Sequence, residues 1–126
     1  MPASEAPRRL KVLHVEDSDL DHQLMLTQMR RAGLEIEAQR VESAAGFEAA
    51  LAQGLRGAPW DVILSDYNLP GFSGLVALEM LKARGLLTPF IIVSGEIGED
   101  TAVAAMRNGA ADYLLKNNLA RLVPAM

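Results

Sequence analysis

The sequence predicts a single α/β domain of the doubly wound type, a parallel five-stranded sheet with helical crossovers. Three observations predict it. Short apolar runs alternate with longer amphipathic ones, the pattern of parallel strands joined by helices. Three of the runs, Val12-Leu13-His14-Val15, Val62-Ile63-Leu64 and Phe90-Ile91-Ile92-Val93, are nearly continuous, as strands covered on both faces require. At 126 residues, half of them hydrophobic and 22% charged, the chain can bury one sizeable core and no more.

Each element follows in order. Residues 1–9 read as a tail and residues 10–126 as the domain. Arg8, Arg9 and Lys11 form a solvated approach to a first strand over Leu10 to Val15. Asp17 or Ser18 can cap a first helix with Leu20, Leu24, Met25, Met29 and Ala32 on one broad face, and Gly33 stops it. A second strand runs over Glu35 to Val41. Ser43 caps a second helix that turns Phe47, Ala50 and Leu51 inward and ends near Gly54 to Gly57.

Pro59 introduces the third strand, Asp61 to Ser65, with Trp60 covering the bottom of the core. Pro70-Gly71 marks a turn, and Ser73 caps a third helix carrying Leu75, Leu78 and Leu81 as far as Gly85. Pro89 starts the fourth strand, Phe90 to Ser94. The fourth helix, roughly Glu99 to Asn108, is mostly alanine with Val103 and Met106 as its large apolar residues, so it should be loosely anchored. The fifth strand is Ala111 to Leu115. A fifth helix starting near Asn118 is kept short by Pro124.

Composition excludes several functions. Sixteen acids against 12 bases give a net charge of −4, without the cationic excess that direct nucleic-acid binding needs. The absence of cysteine removes disulfides and thiolate metal sites and fits a reducing cytoplasm. No apolar run is long enough to span a membrane, and Met1 to Pro7 has no export-signal pattern.

In an open parallel sheet the ligand site lies outside the carboxyl ends of the strands. Strand one ends at Glu16-Asp17, strand three at Asp66, strand four at Ser94 and strand five at Lys116. In the flavodoxin-like order 2-1-3-4-5, strands one and three are neighbours, which brings Glu16, Asp17 and Asp66 together. Three converging carboxylates call for a hard cation, and a few carboxylates with retained waters is the arrangement magnesium prefers. With the cation bound, Asp66 could attack phosphorus while Lys116 offsets charge on the phosphoryl oxygens. Read singly, Asp17 is an ordinary helix cap and Ser94 an ordinary strand-end serine; the set of four ends carries the chemistry. His14 and His22 have no partners at ligand spacing and read as structural.

These residues lie in motifs that resemble, from Leu10 to about Leu122, the receiver domains of two-component response regulators. The motifs are Val15-Glu16-Asp17, Leu64 to Gly74 around Asp66-Tyr67-Asn68-Leu69-Pro70-Gly71, Val93-Ser94-Gly95 and Asp112-Tyr113-Leu114-Leu115-Lys116. The resemblance implies that Asp66 is phosphorylated, that Glu16, Asp17, Asp66 and the Asn68 carbonyl hold magnesium, and that Ser94 and Lys116 contact the phosphoryl group. Tyr113 matches the family's switch aromatic. It implies a phosphohistidine donor on a histidine kinase or histidine phosphotransfer protein, with no turnover of an external substrate. The fourth helix, fifth strand and fifth helix would form the partner or homodimer face. Asn68 and Glu96, two residues beyond Asp66 and Ser94, should flank the path of hydrolytic water and set the lifetime of the phosphorylated state.

One position departs from the family. Asn117 follows Lys116 where receivers carry proline in a cis peptide, and a trans bond is expected before it because a cis bond there costs about 3 kcal/mol or more. The Lys-Asn-Asn-Leu ending and the Val-Ser-Gly-Glu-Ile-Gly-Glu stretch resemble receivers attached to sensor kinases and cyclic-nucleotide signalling proteins. The alternatives are a receiver-like interaction module that is never phosphorylated and a flavin mononucleotide carrier. Against the carrier, the first loop reads Glu16-Asp17-Ser18-Asp19 and would repel a phosphate. A nucleotide triphosphatase lacks its G-x-x-x-x-G-K-[ST] motif.

Overall fold

A computed structural model describes residues 9–56, 59–69, 71–95 and 99–116. The elements are β1 (Arg9–Val15), α1 (Asp19–Arg31), β2 (Glu35–Val41), α2 (Ala44–Arg56), β3 (Val62–Asp66), β4 (Asn68–Leu69), β5 (Phe72–Ser73), α3 (Gly74–Ala83), β6 (Phe90–Ser94), α4 (Glu99–Arg107) and β7 (Asp112–Leu115). Five strands form one parallel sheet in the order β2-β1-β3-β6-β7. With β6 and β7 as its fourth and fifth members, this is the order expected. The short fifth helix, Asn117 and Glu96 lie outside the described residues.

The sheet is covered on both faces. Phe47, Ala50 and Leu51 of α2, Ala77, Leu78 and Leu81 of α3 and Ala105 of α4 pack with Leu13, Ile63, Phe90, Ile92 and Tyr113. Met25 and Met29 of α1 pack with Val12, Val62, Leu64, Ile91, Val93 and Leu114. Every residue of β3 and β6 is buried, which explains their unbroken apolar sequence. Val103 and Met106 remain 45% and 46% exposed, so α4 holds to the core through little more than Ala105.

Local sequence sets the ends of the helices. Ser18 caps α1 by accepting the Asp21 N–H at 3.2 Å, Ser43 accepts the Gly46 N–H at 3.1 Å, and Ser73 caps α3 by accepting the Val76 N–H at 3.2 Å. The helices α1 and α3 stop where Gly33 and Gly85 adopt positive φ, 88° and 69°.

The structure corrects three expectations and adds one short strand pair. Leu20 and Leu24 are 68% and 54% exposed; α1 buries His22, Met25, Leu26 and Met29 instead, a face rotated toward the histidine. His14 and His22 are not isolated: both are buried and their Nδ1 atoms lie 2.8 Å apart. One ring must accept there through an unprotonated nitrogen. The turn around Gly71 is flanked by an antiparallel pair, Asn68 with Ser73 and Leu69 with Phe72, and the Phe72 ring stands 6.1 Å from that of Phe47. Lys11 is partly buried, its Nζ 4.9 Å from the Trp60 ring centroid, while the Trp60 indole N–H donates to Ala50 O at 2.9 Å.

Candidate functional site

The parallel register brings the polar strand ends into one place. Asp66 closes β3 and pairs with Val93, Ser94 closes β6 and pairs with Leu115, and Lys116 follows β7 with its N–H on Ser94 O at 2.8 Å. Glu16 leaves β1 with its N–H on Val41 O at 2.9 Å. Carboxylate oxygens of Glu16, Asp17 and Asp66 all lie within 4.8 Å of one another.

Their environments differ. Glu16 is 1% exposed, Asp66 9% exposed, and Asp17 open to solvent. The Lys116 ammonium stands 2.8 Å from Glu16 Oε1, 3.1 Å from Asp66 Oδ2 and 2.6 Å from Asp21 Oδ2. Glu16 Oε2 also accepts the Ser18 N–H at 3.2 Å. Arg40 binds the outer edge, donating to the Glu16 carbonyl at 3.2 Å and to Glu42 at 3.0 Å.

Burial drives the Glu16 carboxyl up to about 7 in spite of Lys116 and the Ser18 N–H, with the Asp66 charge adding to the rise. For Lys116, burial acts to lower the pKa, but hydrogen bonds to Asp21, Glu16 and Asp66 outweigh it and hold the ammonium above its ordinary range. His14 is pulled from 6.5 to about 3 by burial first and then by His22 and Lys116, and His22 is lowered by burial and Arg40.

The signs oppose. The histidines contribute stability that is present above their unfolded pKa of 6.5 and lost as pH falls, for His14 toward about 3. Glu16 instead costs stability as pH rises from 4.5 toward about 7. Urea unfolding of wild type and of His14→Leu/His22→Leu should therefore show their stability difference moving against wild type by about 2 kcal/mol between pH 7 and pH 5. A difference independent of pH would refute the buried neutral pair.

A turn packed tightly behind β3 holds Asp66 in place. The Gly74 N–H donates to Tyr67 O at 2.9 Å, and a Cβ on Gly74 would lie 2.8 Å from Asp66 O, a backbone atom that cannot easily move. Gly74→Ala should cost about 1–3 kcal/mol in chemical denaturation. An unchanged midpoint would show that β3 can shift freely.

Of the other expected residues, Ser94 is 3% exposed beside Gly95, and Tyr113 is buried, its ring within the core cluster that includes Ala105. Asn68 begins β4 with its side chain exposed. Sequence reasoning missed Asp21. Its one signal was its place as an acidic residue in the first turn of the helix that follows Glu16-Asp17, beside the carboxyl ends of the strands.

The three carboxylates fit a hard divalent cation: oxygen donors only, few in number, with Asp17 open to water. Such an acidic group at the switch point of a parallel sheet, countered by a lysine from the last strand, defines a flavodoxin-like α/β domain of the receiver type. The chain belongs to the response regulator receiver domain family, which it matches over residues 12–126.

Among relatives, the response regulator protein FleR of Pseudomonas aeruginosa is 38% identical over 106 residues, 84% of this chain and 21% of FleR. The transcriptional regulatory protein FixJ of Azorhizobium caulinodans is 34% identical over 112 residues, 87% of this chain and 49% of FixJ. The chain thus spans less than half the length of either. A response regulator receiver domain protein from Clostridium thermocellum superposes with a TM-score of 0.78 at 26% identity, covering 92% of this chain and 90% of that one. No helix among the described residues is long and apolar enough to cross a membrane.

Proposed function

We propose that the chain is the phosphoacceptor of a two-component phosphorelay, with Asp66 taking the phosphoryl group from a phosphohistidine. The observation that carries this is the meeting at Asp66 of two further carboxylates, within 4.8 Å, and of the Lys116 ammonium at 3.1 Å. One Asp66 oxygen forms the bond to phosphorus as the phosphorus–nitrogen bond of the donor breaks, and the imidazole leaves with the electron pair. Lys116 offsets charge on the phosphoryl oxygens, and the Ser94 hydroxyl, at the neighbouring strand end, donates to one of them. Magnesium held by Glu16, Asp17 and Asp66, with the Asn68 carbonyl, would supply the remaining positive charge.

The donor is a histidine kinase or histidine phosphotransfer protein. Leu20 and Leu24, exposed one turn apart on the helix that carries Asp21, offer it an apolar contact beside the site. The signal leaves through Ser94 and Tyr113 toward α4, whose slight hold on the core makes it easy to displace. That face receives the effector or a second copy of the chain. Asn68 and Glu96 set the lifetime of the acyl phosphate.

Incubation with a small phosphodonor, read by intact mass, should add one phosphoryl group in magnesium and none after chelation. If the small donor fails, a phosphorylated phosphotransfer protein supplies the second arm. No adduct from either donor would leave a receiver that acts by binding alone.

A further inference from the structure

The Lys116 ammonium touches three carboxylates, but they are not equivalent. Glu16 and Asp66, at 2.8 Å and 3.1 Å, belong to the group that fits a divalent cation. Asp21, at 2.6 Å, lies outside that group. An ammonium is a compact point charge with three donors, and on Glu16 and Asp66 it supplies the countercharge that a divalent cation would supply. The two cations compete for the same two carboxylates.

Asp21 is held independently of this competition. Its N–H is fixed at 3.2 Å by the Ser18 cap, and its side chain, 34% exposed, reaches the lysine from the first turn of α1. We propose that Asp21 is a positioning residue for Lys116. It retains the ammonium at the rim of the site when a divalent cation takes Glu16 and Asp66, so that the lysine is in place for the incoming phosphoryl group. The purpose of that placement rests on Asp66 being the phosphoacceptor; the exchange itself does not. Without Asp21, a cation entering the site must drive the ammonium into water, so cation binding should weaken.

A nearby carboxylate could strengthen cation binding by its charge alone, and a double-mutant cycle separates the two effects. Magnesium affinity is measured by calorimetry on the 126-residue chain as wild type, Asp21→Asn, Lys116→Met and the double variant. Asp21→Asn should weaken binding roughly fivefold where Lys116 is present and less than twofold where it is Met. Equal loss in both backgrounds, no loss in either, or no binding by wild type overturns the proposal. A second readout follows the lysine itself. Labelling by acetic anhydride, quantified at Lys116 by peptide mass, should be unchanged by magnesium in wild type and in Asp21→Glu and should rise with magnesium in Asp21→Asn. A rise of the same size in wild type and in Asp21→Asn also overturns it. Neither assay reads phosphorylation, so a chain that binds magnesium but takes no phosphoryl group would defeat Asp66 as acceptor while leaving the lysine exchange to stand or fall separately.

Discussion

Asp66→Asn should reduce phosphoryl uptake by on the order of 10³-fold or more, to background, while the chain stays folded. The amide occupies the same volume but is not a nucleophile, and no other side chain replaces it at the end of β3. Glu16 lies within reach of the same ion, but it is 1% exposed and so closed to an incoming phosphoryl group. Lys116 keeps Glu16 and Asp21 in the variant, which is why the fold should survive. Intact mass and circular dichroism on the same samples check both halves. A phosphoryl adduct on the variant at the wild-type rate would move the chemistry to another residue.

Lys116→Met should separate binding from chemistry by moving them in opposite directions. Methionine keeps much of the aliphatic length and removes the charge. Magnesium binding should tighten about tenfold, because the ammonium no longer competes for Glu16 and Asp66; the Coulomb gain is discounted for a lysine 24% exposed. Phosphorylation at saturating magnesium should nevertheless slow roughly 10²-fold, the scale of losing one preorganised charge at the phosphoryl oxygens. Calorimetry and a phosphodonor time course read the two separately. Affinity unchanged by the substitution would mean that the ammonium does not hold the metal oxygens in the free protein.

The sheet was legible because its signals are local. Unbroken apolar runs such as Phe90 to Val93, short, rich in β-branched residues and bounded by Pro89 and Gly95, read as strands buried on both sides, and the serine caps at Ser18, Ser43 and Ser73 act within one turn. Glu16, Asp17 and Asp66 could be placed together because a parallel sheet aligns the carboxyl ends of its strands. What escaped was set by rotation and by contact between elements. Leu20 and Leu24 looked inward because they are apolar at helical spacing, yet the buried face of α1 is fixed by His22 meeting His14 across the helix–sheet boundary. Asp21 escaped for the same reason: its partner lies 95 residues away, and no spacing rule along the chain links it to Lys116. The β4 and β5 pair escaped because two residues are too few for an alternating pattern to show.

Asp66 as the phosphoacceptor is tested most directly by locating the acyl phosphate. The phosphorylated chain is reduced with borohydride, which converts an aspartyl phosphate to homoserine, and the digested peptides are sequenced by mass spectrometry. Homoserine at position 66 and at no other position is the expected result. Homoserine at Asp17 or Asp21, or its reduced counterpart at Glu16, would contradict it.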